Sequence, residues 1–321
     1  MTNSILWHSS VYIAMKRGAC MLQQDRRELA NKPYYITTAI DYPNAEPHIG
    51  HALEKVAADV VARYHRLQGR ATYLSIGLDE NSQHVVKAAR ANNVSISVWI
   101  ERMDVAFRAA WAALDIRYDR WMRTTEPGHF RASQEMFRRA QAAGDIYQST
   151  YVGWFCPNCN CFYRDDELIN GTCPDHPSQR PEWVEEEDYF FALSRYSDRL
   201  LAYIADHPDF IVPAVRQSEI VGIIRQGLRD FPVSRPASRI DAAWGVPVPG
   251  DPQHVIYVWF DALTNYLTAV GFPDDAEKFA RYWPADAHVI GKDITRFHCL
   301  YWPAMLISAG LSLPRQVAVH G

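Results

Sequence analysis

The order of hydrophobic and polar residues predicts a strand followed by a helix near the start of the folded region. Residues 34–40 form a β-rich run with few charges, and Ala52, Val56, Val60 and Tyr64 then recur at helical spacing. The charged residues outside that stripe are Glu54, Lys55 and Asp59. Two prolines in the intervening segment keep it out of a helix.

The same alternation of strand and helix continues in two further stretches of the chain. "ATYLSIGLDE" (71–80) predicts a second strand, and 97–114 and 129–144 predict helices. From about residue 246, "HVIYVWFDALTNYLTAV" and "HVIGKDITRFHCLYWPAMLISAG" each place a strand before a helix, and "QVAVHG" ends the chain as a strand. This alternation predicts an α/β fold with a doubly wound, Rossmann-like parallel sheet.

Between these stretches, the pattern becomes short, aromatic and rich in turns, which predicts an inserted module. We therefore divide the chain into an extension (1–32), a first half of the α/β domain (33–144), the inserted connective module (145–240) and a second half (241–321). In the extension, basic residues follow the apolar part, the wrong order for a secretory signal. We predict that it is disordered, or that translation starts further along.

The composition is that of an ordinary globular protein. The 321 residues are 48% hydrophobic and 22% charged, with a net charge of -4, which argues against broad electrostatic binding of nucleic acid. No apolar run approaches the length of a membrane-spanning helix.

A cluster of cysteines in the inserted module predicts a metal site. Cys156 and Cys159 are separated by two residues, as are Cys173 and His176, and 13 residues separate the two pairs. Two short chelating turns of this kind suit tetrahedral zinc, and four protein ligands leave no open position, so we expect a structural zinc knuckle. Cys161 is a spare thiol that could compete for one position. A metal rather than disulfides indicates a reducing cytoplasm.

Two histidines at the predicted start of the first helix indicate an anion site. His48 and His51 flank Gly50 where a strand gives way to a helix. The first turn of a helix carries unpaired N–H groups and the positive end of its dipole, and nucleotides bind at such junctions. A glycine there would let a flat ring lie against the backbone.

Polar residues follow three other predicted strands, in "GLDEN" (77–81), "YVWFDALTNY" (257–266) and "IGKDITRFH" (290–298). One of Asp79 and Glu80 could receive a substrate ammonium group, although solvated loop carboxylates would look the same. Since these junctions all lie at strand carboxyl ends, we expect them to converge on one crevice.

Residues 33–321 resemble the catalytic half of bacterial-type methionyl-tRNA synthetases. "HIGH" (48–51) is shared by a wider group of synthetases, whereas its combination with "YPNAEP", "CPNC…CPDH", "YVWFDAL" and "GKDITRFH" is specific to the methionine enzymes. The resemblance implies that L-methionine is activated with ATP and Mg and then transferred to tRNA(Met). It implies no membrane partner. It also implies structural zinc.

The resemblance implies a role for individual residues. His48 and His51 would hold the ATP phosphates with Gly50 against the adenine, and Lys292 would support catalysis near the nucleotide. Asp79 would take the methionine ammonium group. The other positions predicted around methionine are Ile40, Tyr42, Arg235, Trp259, Leu263, Tyr266, Asp293, Ile294 and His298. An unbranched thioether suits such apolar and aromatic walls.

The sequence departs from the family pattern in three ways. Asn81 and Ser82 replace a histidine and a glycine of "DEHG", and Asp41 adds a carboxylate that phosphates could repel or that could turn outward. The printed chain stops at Gly321, before the family's "KMSKS" loop and anticodon-binding domain, so we expect it to be a weak catalyst alone. A synthetase for another amino acid, or a non-catalytic paralogue that binds nucleotide or tRNA ends, is the alternative.

Overall fold

The structure is a computed structural model that describes residues 33–158, 161–174, 176–178, 180–240 and 244–321, with only the backbone of Cys161. The predicted extension, residues 1–32, lies outside the described residues.

The described elements alternate as predicted at both ends of the chain. The strands are β1 (Tyr34–Thr38), β2 (Thr72–Leu78), β3 (Arg120–Arg123), β4 (Ile146–Cys156), β5 (Cys161–Tyr163), β6 (Glu182–Phe191), β7 (Ile211–Val212), β8 (Phe231–Pro232), β9 (Ser234–Pro236), β10 (Pro247–Val248), β11 (Asp251–Ile256), β12 (Ala287–Gly291) and β13 (Val317–His320). The helices are α1 (Ile49–Leu67), α2 (Gln83–Ala91), α3 (Ile96–Ala113), α4 (Pro127–Ala142), α5 (Ser197–Asp206), α6 (Ala214–Arg225), α7 (Val258–Thr268), α8 (Ala276–Tyr282) and α9 (Trp302–Ser308).

The central sheet is parallel and has the strand order β3-β2-β1-β12-β13-β7. Successive side chains of β1 point to opposite faces, so Tyr35 and Ile36 enter two separate hydrophobic cores. Since both faces of the sheet are covered, the predicted α/β fold with a parallel sheet is confirmed. The strand order reverses between β1 and β12, which opens a crevice at their carboxyl ends.

Helix α1 shows a face that the sequence pattern did not indicate. The residues that predicted the helix, Val56, Val60 and Tyr64, are largely exposed, whereas Glu54 and Lys55 are buried. Helical spacing of apolar residues identifies a helix, but it does not say which side faces the sheet. Here the buried side carries Glu54, Lys55 and Asp59 together with two alanines.

The residues between β3 and β12 form antiparallel structure on either side of β7, which belongs to the parallel sheet although it lies within the predicted inserted module. One sheet has the order β5-β4-β6-β8, and a smaller one has the order β10-β11-β9. The strand predicted before α7 is β11, and it lies in this smaller antiparallel sheet, whereas the sequence pattern predicted it in the parallel sheet. Phe191 of β6 and Cys156 of β4 belong to the same hydrophobic core as Tyr35 of β1. This part therefore packs directly on one face of the parallel sheet and shares its core.

No helix in the described part of the chain is both long enough and apolar enough to cross a membrane.

Candidate active site

A cavity of about 450 Å³ opens where the strand order reverses. Segments that follow β1, β2 and β12 line it together with the end of β13 and one side of α7. Its lining residues are Ala39, Ile40, Asp41, Tyr42, His48, Gly50, His51, Glu54, Asp79, Trp259, Ala262, Leu263, Asn265, Tyr266, Gly291, Lys292, Asp293, Ile294, His298, His320 and Gly321. The crevice therefore brings together the junctions expected to converge.

The two histidines of "HIGH" cap α1 through their own side chains. His48 is the N-cap, and its Nδ1 accepts the Gly50 N–H at 3.1 Å, while Nδ1 of His51 accepts the His48 N–H at 3.2 Å. The rings stack with centroids 3.8 Å apart. Because both Nδ1 atoms accept, each ring carries its proton on Nε2 and can donate from there. Burial, with Lys55 and His48 nearby, lowers the pKa of His51 to about 4, so its ring is neutral.

Gly50 has a second reason to be a glycine. A Cβ there would lie 2.9 Å from Cε1 of His48, a separation too short for two carbon atoms. The absent side chain therefore makes room for the His48 ring in its capping position.

Aromatic rings form one wall of the cavity. The rings of Trp259 and Phe297 stack with centroids 3.7 Å apart, and Tyr42 approaches Trp259 edge-on at 6.3 Å. On α7, the Tyr266 hydroxyl donates to Nε2 of His298 at 2.7 Å. The other ring nitrogen of His298 donates to a backbone carbonyl at 3.0 Å, and burial lowers the pKa of His298 to about 4. This neutral, pre-oriented wall suits an apolar side chain.

Asp79 is the buried carboxylate of the cavity. It is 2% exposed, and its Oδ1 accepts no hydrogen bond from the described residues. Burial, and then the nearby carboxylate of Asp261, raises the pKa of Asp79 well above its usual range. An arriving ammonium group would supply the missing partner and favour the charged carboxylate.

Asp261 itself is held by three side chains. Asn81 donates to it at 2.7 Å, Ser133 donates at 2.6 Å, and Nε2 of His129 lies 3.0 Å away. Asn81, which replaces the histidine of the family's "DEHG", therefore helps to hold Asp261. Ser82, the other, is the N-cap of α2 and accepts the His84 N–H at 3.1 Å. Neither Asn81 nor Ser82 lines the cavity.

A buried ionic cluster beside the cavity was not predicted. Lys55 is fully buried, and its Nζ donates to Ala39 O at 3.0 Å, Asp41 Oδ1 at 2.5 Å and Glu54 Oε1 at 3.1 Å. Nε2 of His320 donates to the other oxygen of Glu54 at 3.2 Å. The expectation that Asp41 could turn outward is therefore wrong, because its carboxylate is buried and accepts a hydrogen bond from the Lys55 ammonium group. In the sequence, the cluster could have been suspected only from Asp41 and Lys55, two opposite charges 14 residues apart on either side of the predicted strand-to-helix junction.

The ammonium group can compensate only one of the two carboxylates beside it. Burial raises the pKa of Asp41 to about 7 despite Lys55. For Glu54 the attraction of Lys55 outweighs burial, so the pKa of Glu54 is lowered. Burial alone would lower the pKa of Lys55, but the two carboxylates leave it raised. The lysine stays charged, and the cluster joins β1, α1 and β13.

One of the residues predicted around methionine lies elsewhere. Arg235, on β9, donates to both oxygens of Glu186 at 2.8 and 3.1 Å, and its guanidinium lies 4.2 Å from the ring centroid of Phe155. It lines a separate cavity of about 320 Å³ with Asn81 and Trp244. The other nine predicted positions all line the 450 Å³ cavity.

Three of the four predicted metal ligands lie together. Sγ of Cys156, Sγ of Cys173 and Nδ1 of His176 lie within 4.8 Å of one another. Cys159 lies outside the described residues. Two buried thiols and an imidazole at this separation are a soft donor set that fits zinc.

Comparison with known families agrees with this fold. The profile of a family described as "tRNA synthetases class I (M)" matches residues 34–181 and 176–321, which defines the class. A "Methionine--tRNA ligase" of Mycobacterium bovis is 49% identical over 294 residues, and one of Brucella suis biovar 1 is 45% identical over 296 residues. The chain belongs to the methionyl-tRNA synthetase family.

A solved structure shows the same arrangement. Mycobacterium tuberculosis methionyl-tRNA synthetase in complex with methionyl-adenylate superposes with a TM-score of 0.86 at 48% identity, covering 90% of this chain and 57% of that one. The curated relatives are matched over 90% and 91% of this chain but over only 56% and 57% of their own length. The chain thus spans just over half the length of its relatives.

Proposed function

We propose that this chain binds L-methionine and ATP·Mg and forms methionyl-adenylate, which serves to charge tRNA(Met) in the cytoplasm. The proposal rests on one observation above all, a crevice that combines the apolar wall of Trp259 and Tyr266 with a buried Asp79 whose Oδ1 accepts no hydrogen bond from the described residues. Family membership and a relative that binds methionyl-adenylate support it.

In the proposed mechanism, Asp79 accepts the ammonium group of methionine while the thioether lies against Trp259 and Tyr266. The methionine carboxylate attacks the α-phosphorus of ATP, and Mg-pyrophosphate leaves. His48 and His51 donate from Nε2 to phosphate oxygens, where negative charge builds up, and the amino terminus of α1 adds its dipole. Lys292 and Asp293 approach the nucleotide from the end of β12. Positioning and electrostatics carry the reaction, without a covalent intermediate.

The Tyr266–His298 hydrogen bond supports a preference for methionine. Since Nδ1 of His298 donates to a carbonyl, its Nε2 is occupied as the acceptor of the Tyr266 hydroxyl. The Tyr266 hydroxyl and the His298 ring are therefore hydrogen-bonded within the protein, and neither needs a hydrogen bond from the substrate. A thioether fits such a wall, whereas a substrate hydroxyl would give up its hydrogen bonds to water and find no replacement there.

We also propose one structural zinc ion bound by Cys156, Cys159, Cys173 and His176, in an inserted module that spans residues 145–240. Bound zinc would tie the turn after β4 to the segment around His176. The module sits beside the cavity, since the ring of His84 lies 5.4 Å from that of Tyr42 and interacts with the backbone of Asn158.

Methionine-dependent exchange of pyrophosphate into ATP tests the function, with leucine and cysteine as competing substrates. We expect exchange with methionine alone, and calorimetric binding of methionine even where turnover is slow. Equal binding of leucine would refute the assignment of the apolar wall. Binding of ATP with no binding of methionine would favour a non-catalytic nucleotide-binding role.

A further inference from the structure

His288 is a fully buried polar residue that the mechanism above does not use. It lies on β12 directly opposite Thr37 of β1, and both residues are 0% exposed. Its side chain does not line the cavity of about 450 Å³. A buried histidine in a hydrophobic core is most often structural, so the groups that its ring contacts decide whether it also serves the site.

Hydrogen bonds on both ring nitrogens fix the His288 ring in one orientation. The indole N–H of Trp302 can only donate, and it donates to Nε2 of His288 at 3.2 Å. Nδ1 of His288 therefore carries the ring proton and donates to Oγ1 of Thr37 at 2.6 Å. Burial, and then the nearby ring of His298, lowers the pKa of His288 well below its usual range, so the ring is neutral. The ring thus has one tautomer, and it is held on two sides.

One face of this fixed ring supports Tyr266, which lines the cavity. The rings of His288 and Tyr266 stack with centroids 4.2 Å apart and planes 29° from parallel. The Tyr266 hydroxyl donates to Nε2 of His298 at 2.7 Å, and the Tyr266 carbonyl accepts from the Tyr35 hydroxyl at 2.7 Å. These two hydrogen bonds hold the two ends of Tyr266, but neither fixes the rotation of its ring about the long axis.

The plane of the Tyr266 ring therefore depends on its packing against His288. The torsion that rotates a tyrosine ring has a broad preference, so neighbouring side chains select the plane. Trp302 also contacts the Tyr266 ring, but edge-on, with centroids 5.9 Å apart and planes at 62°. Of the ring contacts that the described residues make with Tyr266, only the one with His288 is stacked. Because Tyr266 forms part of the apolar wall, its plane sets the shape of that wall.

We propose that His288 is a positioning residue for substrate selection. Its ring, held by Thr37 and Trp302, keeps Tyr266 in the plane that shapes the apolar wall for an unbranched thioether, and a branched side chain fits that wall less well. This inference rests on the proposed function, since it concerns how the same crevice distinguishes methionine from leucine. His288 acts through Tyr266, because its own side chain does not reach the cavity.

Two substitutions separate the ring face of His288 from its hydrogen bonds. His288→Phe keeps a flat ring against Tyr266 but removes both hydrogen bonds, whereas His288→Gln keeps polar atoms near Thr37 and Trp302 but removes the ring. Calorimetry measures the binding of methionine and ATP, and displacement of methionine measures leucine. We expect H288Q to lower the ratio of methionine to leucine affinity at least about tenfold, the scale on which apolar pockets discriminate between side chains. H288F should keep that ratio even where it lowers Tm more than H288Q does, and ATP affinity should be unchanged in both.

Two further comparisons separate positioning from a general loss of stability. In a Tyr266→Ala background, H288Q should lower the ratio no further, because the ring through which His288 acts is already missing. Thr37→Val removes the acceptor of the His288 N–H with little change of volume and should lower the ratio. Thr38→Val is the matched control, since Thr38 is equally buried and its hydroxyl donates to the carbonyl of Ala39 instead. The T37V and T38V pair decides the question if H288Q does not fold.

Equal losses of the ratio in H288F and H288Q would overturn the role of His288, since stability and not the ring face would then control selection. An unchanged ratio in H288Q, or in T37V where H288Q does not fold, would overturn it as well, and so would a further fall caused by H288Q in the Tyr266→Ala background. Failure of the unsubstituted chain to bind methionine would refute the proposed function and this inference with it. Tight methionine binding with an unchanged ratio in the variants refutes the inference alone.

Discussion

Replacing Lys55 by methionine should destabilise the protein strongly. The methionine side chain fills similar space, but it leaves Asp41 and Glu54 buried without their ammonium partner. Removing one partner of a buried ion pair costs about 3–5 kcal/mol, because the remaining charge is uncompensated. For a protein of 321 residues, that corresponds to a fall in Tm of roughly 4–7 °C.

The loss should grow as the pH rises. Burial already raises the pKa of Asp41 to about 7, and without Lys55 it will rise further. The pKa of Glu54, which Lys55 now lowers against the effect of burial, will rise as well. A carboxyl group with a raised folded pKa binds more protons in the folded than in the unfolded state, so stability falls with increasing pH. At pH 5 protonation relieves much of the cost, and at pH 8 the cost is present in full.

Thermal unfolding followed by circular dichroism from pH 5 to pH 8 measures this difference. The matched control is Lys87→Met, which removes an exposed lysine and should change stability by less than about 0.5 kcal/mol. Adding Asp41→Asn to K55M should recover part of the loss, since one uncompensated charge disappears. The reasoning fails if K55M and K87M unfold alike at pH 8, or if their difference shrinks as the pH rises.

Three further outcomes are expected. Asp79→Asn should weaken methionine binding roughly 10- to 100-fold, since a charge-assisted hydrogen bond is worth about 1.5–3 kcal/mol, and unchanged calorimetric affinity would contradict the role of Asp79. Cys173→Ser should lower the zinc content of protein purified without chelators while far-ultraviolet circular dichroism stays close to that of the unsubstituted chain; full zinc content would argue against this ligand. Gly77→Ala should destabilise the fold by about 1–3 kcal/mol in urea unfolding, because a Cβ there would lie 2.2 Å from the Met122 carbonyl oxygen, and an unchanged midpoint would contradict that close approach.

Local patterns in the sequence were sufficient for most elements of the α/β domain and for most of the crevice, but they did not place β7 in the parallel sheet or β11 outside it. The alternation of apolar runs and helical stripes predicted β1, α1, β2 and the elements of the second half, because each depends on residues close together in the chain. Since parallel strands end at the same edge of a sheet, the segments that follow the adjacent strands β1, β2 and β12 lie side by side at that edge. The convergence of the residues in "HIGH", "GLDEN" and "GKDITRFH" followed from that geometry.

Only the tertiary structure decided which residues become partners across the fold. The cluster around Lys55 includes His320, which is 266 positions from its partner Glu54. Arg235, predicted around methionine, instead forms an ion pair with Glu186, 49 positions away. The outward direction of Val56, Val60 and Tyr64 on α1 was likewise not predicted, since periodicity fixes the spacing of apolar residues but not which face meets the sheet. In the fold, ion pairs of Lys55 with Asp41 and Glu54, and of Glu54 with His320, hold the polar side of α1 against the segments that end β1 and β13.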